Sequence, residues 1–116
     1  MNDHEINDER ALEMDRVIAR ELRSDPSKLK LAIAWIEKFL ADPDYSIHSK
    51  DALIEWLDLI RLRGLPGVLA ALEDPSEEGH RMRQSSPFAA VMPQDERRRI
   101  LDFYEARRAR THSARV

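Results

Sequence analysis

The sequence predicts an all-α protein, and three observations carry that prediction. Apolar residues recur at three- and four-residue steps through most of the chain. No run alternates apolar and polar residues as a half-buried strand does, and 3 glycines in 116 residues provide few strand-to-strand turns. The 6 prolines stand where helices start or stop. The expected architecture is one compact bundle of five to six helices over residues 1–109. Its second half holds short helices and a basic C-terminal helix, and residues 110–116 form a flexible tail.

The first helix is predicted over residues 7–23. Met14, Val17, Ile18 and Leu22, with Ala11, make its apolar stripe, and Glu9, Glu13 and Asp15 complement the positive end of its dipole. Asp25 is a natural N-cap and Pro26 suits the first position of the next helix, where no amide hydrogen is needed. That helix, 26–41, shows two adjacent stripes, Leu29/Ile33/Ile36/Leu40 and Leu31/Trp35/Phe39, and so is expected to be buried between two neighbours. Pro43 ends it.

A third helix is expected from an N-cap at Ser49 to about residue 62, with Leu53, Trp56, Leu57 and Ile60 facing inward and Ile54 beside them. Gly64 then permits a left-handed stop. Short helices follow over 66–73 and 75–84, each opened by a proline. The last helix, 93–109, has Ile100, Leu101, Phe103 and Tyr104 as its apolar content.

Charge is distributed unevenly around the net −3. Residues 1–25 hold eight acids against four arginines, and residues 26–80 hold ten acids against six bases. Residues 81–116 hold nine arginines against four acids. A chain polarised in this way favours self-association or an acidic partner. A homodimer is accordingly a second expectation, with the narrow stripe of the first helix packing either on its own core or on another copy. Zero cysteines remove disulfides, thiolate metal sites and thiol nucleophiles together, as fits a reducing cytoplasm. The opening MNDHEINDER is polar and acidic, unlike a signal peptide, and no run has the apolar length of a membrane span. The location expected is the cytosol.

No motif announces a reaction. Glu77 and His80 form one E-x-x-H pair, whereas a di-iron bundle needs two such pairs and two further glutamates; the pair reads as an exposed polar turn. Ser85 and Ser86 lack the glycine frame of a nucleophile elbow, and no phosphate-cradling glycine loop is present. The expectation is a nonenzyme with no cofactor and no metal. Helix three, Gly64 and the 66–73 helix imitate a helix-turn-helix layout, but PGVLAALED presents no base-reading side chain, so it is a packing element. Arg97–Arg99 with Arg107, Arg108, Arg110 and Arg115 offer phosphate contacts, which makes nucleic-acid binding the alternative function. Asp102 and Glu105 lie within helical reach of Arg98, Arg99 and Arg108 and point instead to a salt-bridged face.

The segment RMRQSSPFAAVMP (81–93) is too apolar for a solvated loop and too short for a long helix. Its structural role is a core plug, with Ser86 and Pro87 opening a turn and Phe88, Val91 and Met92 filling space. Its functional role is an apolar anchor with a basic rim, a composition enriched at protein interfaces. The candidate partner-binding residues are Arg83, Ser86, Pro87, Phe88, Met92, Arg97 and Arg98.

The same residues carry a resemblance. WLDLI, then RQSSPFA at 83–89 and the Glu96-Arg97 pair, make residues 8–104 similar to a group of small bacterial helical proteins. These share an EWLDLL-like helix and an RQSSPFAGVL…ER segment. Ala90 stands where that group has glycine. The resemblance implies a bacterial origin and a small cytosolic partner protein, antitoxin-like in size and charge, that binds a toxin or a regulated enzyme.

Overall fold

The computed structural model describes residues 3–113, and every element among them is helical. Five α-helices follow one another: α1 (Asp3–Ser24), α2 (Leu29–Leu40), α3 (Ile47–Glu73), α4 (Glu77–Arg83) and α5 (Gln94–Ser113). Single 3-10 turns occupy Pro26–Lys28 and Phe88–Ala90. No helix is long and apolar enough to cross a membrane among the described residues.

Local chemistry explains where the helices start. Asp25 accepts hydrogen bonds from both the amide and the hydroxyl of Ser27, and Pro26 opens the turn leading into α2. The cap of α3 and the start of α4 differ from the expected ones by a few residues. Ser46, not Ser49, caps α3: its backbone is extended and its hydroxyl accepts the Ser49 amide, which makes Ser49 the donor. Ser76 caps α4 by accepting the Gly79 amide, while the Asp74 carboxylate accepts the Ser76 amide one step earlier. The last helix runs past its expected end, so residues 110–113 are helical; residues 114–116 of the anticipated tail lie outside the described residues.

The expected break at Gly64 is a kink inside one long helix. Gly64 adopts φ 61° and ψ −154°, available to glycine without a Cβ clash, and Pro66 restarts the helical path two residues on. The core is built around this kinked helix. Leu53, Trp56, Leu57 and Ile60 before the kink and Val68 and Leu72 after it are all buried. Val17, Ile18, Ala19 and Leu22 from α1 and Ile100 and Tyr104 from α5 complete it. Val17, Ile18 and Leu22 of the α1 stripe are thus buried within the chain, whereas Met14 is half-buried and Ala11 is exposed.

The second helix is less central than its two stripes predict, because only Ala32 and Ile36 of α2 are buried. Trp35, Phe39 and Tyr45 stack on one another instead, at centroid distances of 4.4 and 5.0 Å, and cover the core from outside. Leu31, from the second of these stripes, is exposed, as is Ile54 of α3, which was expected beside the inward face.

Helices α1 and α5 pack antiparallel and carry the charge asymmetry of the chain. Arg20 meets Glu96 at 3.3 Å, Tyr104 donates to Glu13 at 2.8 Å, and Arg107 meets Glu9 at 2.6 Å. Arg99 binds Glu96 at 2.9 Å and reaches Glu13, and Arg108 donates to the Asn7 side chain. The basic C-terminal helix therefore docks on the acidic N-terminal one. Asp102 and Glu105 form no ion pair among the described residues: of the three arginines expected to bind them, Arg99 and Arg108 reach across to Glu13 and Asn7 of α1, and Arg98 lies near both acids without an ion pair.

Candidate functional site

The segment after α4 is positioned by Trp56. Its indole Nε1 donates to the Met82 carbonyl at 2.8 Å, and its ring takes Phe88 edge-on at 5.2 Å. The Ser86 hydroxyl accepts the Phe88 amide, closing the turn through Pro87. Phe88 is 0% exposed, and Pro87, Val91 and Met92 are buried with it. The plug is real, and Pro87 and Phe88 stand behind the surface instead of on it.

Arg83 is also internal. Its Nη1 donates to the Ala71 carbonyl at 3.1 Å and to the Asp74 carbonyl, while Nε lies 3.4 Å from Oδ2 of Asp15. One guanidinium thus joins the C-terminal end of α3, where carbonyls lack helical partners, to the middle of α1. Arg83 does not form the exposed basic rim that its sequence position predicts. Asp15 is 6% exposed, and burial pushes its carboxyl up to about 7 against the opposing pull of Arg83.

Four of the seven predicted residues come together here. Arg83, Ser86, Met92 and Arg97 line a shallow groove of about 200 Å³, with Ala11, Met14, Asp15, Ile18 and Ala89 forming the rest of its wall. Arg97 is exposed at one edge, and Arg98 turns to an adjacent depression with Leu101, Asp102 and Glu105. Neither Arg97 nor Arg98 has an ion pair among the described residues, in contrast to Arg99 and Arg107 on the same helix. Asp15, expected to complement the positive end of the first helix's dipole, lies instead in the middle of α1 as a buried acid in the groove wall. Its only sequence signal is an acid lying between Met14 and the buried Val17–Ile18 pair.

The remaining candidates stay apart. The His80 ring nitrogen meets the Gln84 amide nitrogen at 3.1 Å, Glu77 is exposed, and no three metal-ligating side chains converge among the described residues. The fold and groove define an all-α globule with a shallow, cation-edged surface site. No protein-family model, curated protein or solved structure matches the chain.

Proposed function

We propose that this chain is a noncatalytic protein-binding module, a small antitoxin-like or regulatory partner in a bacterial cytosol. Its groove between α1 and residues 83–97 receives an acidic, partly apolar segment of another protein. One observation carries the reading: Arg97 at the groove edge and Arg98 in the adjacent depression have no ion pair among the described residues, while Arg99 and Arg107 of the same helix are engaged with α1. Exposed Ala89 and the wall residues Met14 and Ile18 supply apolar contact, and the arginines supply charge selection at the edge. The resemblance of the RQSSPFA and Glu96-Arg97 elements to small bacterial helical proteins is a second support.

The test is recovery of the tagged protein from its native cell at moderate salt, followed by native mass spectrometry. A stoichiometric second protein is expected, and Arg97→Glu with Arg98→Glu should release it. Ala89→Trp, which fills the groove from an exposed position, should do the same in a folded protein. Retention of the partner by both variants would remove this groove from consideration. The competing reading, nucleic-acid binding through the α5 arginines, predicts affinity that falls steeply with salt; no gel shift at low salt ends it.

A further inference from the structure

A second surface lies between α4 and the two arms of the kinked α3. The kink at Gly64 folds one face of α3 inward: a Cβ placed on Gly67 would stand closer than 3.0 Å to the Cβ of Arg63. Only a residue without a side chain permits that approach. The resulting concavity, about 510 Å³, is floored by Leu59, Ala70, Ala71 and Met82. Leu62 projects from its rim and is 83% exposed, a large apolar side chain that nothing among the described residues covers.

Charge around this concavity is graded from end to end. Beside the kink, Arg63 has no ion pair or hydrogen bond among the described residues. At the other end, under α4, Glu55 and Glu78 share the single guanidinium of Arg81. The Asp74 carboxylate adds a further negative charge there. The cleft thus has a cationic end and an acid-rich end, with a projecting leucine and a small-residue hollow between them.

We infer that this face is a docking surface for a second copy of the same chain, related by a two-fold axis. A two-fold axis that lies in the interface and crosses the cleft at right angles reverses the cleft's direction, so each Arg63 meets the acid-rich end of the other copy. Each Leu62 then lies over the hollow at Ala70 and Ala71 of its partner. A patch that carries its own knob, hollow, cation and anions is complementary to itself, as an isologous interface requires. A parallel arrangement would set like charge against like.

Sedimentation velocity of the full chain, from micromolar to millimolar concentration, tests the proposal. A concentration-dependent dimer is expected, and Leu62→Glu should raise its dissociation constant by about thirtyfold or more, as for a central interface anchor. Because Leu62 is so exposed, the circular dichroism melt of that variant should match the wild type at a concentration low enough to keep both monomeric. Arg63→Glu and Glu78→Lys should each weaken the dimer alone, and mixing the two should restore it, since the heterodimer makes two good charge contacts. A wild-type chain that stays monomeric, a dimer indifferent to Leu62→Glu, or a mixture that fails to recover would each overturn the inference.

Discussion

The two sides of this molecule are held by different forces. Around α3, contact is apolar and enclosed: Trp56, Phe88, Leu53 and Leu72 are all fully buried or nearly so. Along the α1–α5 pair, a thin apolar line of Val17, Ile100 and Tyr104 is flanked by ion pairs whose side chains remain partly wet. The first side gains from every buried square ångström, whereas the second exchanges water for charges that water solvates well. Asp15–Arg83 is the informative exception, an ion pair placed on the apolar side of that division.

The contrast is broken most severely at Phe88. Phe88→Ala should cost about 3–5 kcal/mol in denaturant unfolding, because it empties the space against Trp56 and removes the plug. A loss below about 1 kcal/mol would mean that the segment around residue 88 is not part of the core. Next is Arg83→Met, expected to cost about 3 kcal/mol by leaving Asp15 without its counter-ion and two carbonyls without their donor. Adding Asp15→Asn to that variant should recover part of the loss; strict additivity in the double-mutant cycle would show that the pair is not coupled.

Titration sharpens the same point. Asp15 is held at about 7 in the fold against an ordinary 3.8, so between those values the folded state keeps a proton that the unfolded chain has released. Its contribution therefore makes stability fall as pH rises from 3.8 to about 7, and level off above. Asp15→Asn should flatten that part of the stability–pH curve, and an unchanged slope would place its origin elsewhere. The smallest effect belongs to the wet side. Arg107→Gln, which removes the 2.6 Å contact to Glu9, should change stability by less than about 1 kcal/mol, with a salt dependence that the Phe88 variant lacks.

Helix existence was legible because its signals are local. The three- and four-residue periodicity of Leu53, Trp56, Leu57 and Ile60 marks the face that the structure buries. Asp25-Pro26 and Gly64-Leu65-Pro66 punctuate the chain where they were expected to. The caps were less legible because Ser46 and Ser49, like Asp74 and Ser76, are chemically eligible neighbours. Only the φ/ψ of the turn selects which of them accepts and which donates. The apolar fill of α2 overstated its centrality, since aromatic residues bury one another on a surface as readily as they enter a core.

The candidate site was legible only in outline. The segment 83–98 holds the right residues, but composition does not say which arginine faces inward. Arg83 and Arg97 belong to the same basic third of the chain; one is tied to Asp15 and two carbonyls, the other borders an open groove. Asp15 lies 68 positions before Arg83, and no periodicity relates residues that far apart.

What the sequence alone determined is the set of helices, their breaks and the aromatic and aliphatic material of the core, because backbone preference and amphipathic period act over a few residues. The tertiary structure decided how α5 docks on α1, how sharply α3 folds at Gly64 and which charges are buried. Those outcomes depend on packing between distant segments, where a carboxylate or guanidinium is paired, shared or solvated according to what the rest of the chain brings beside it.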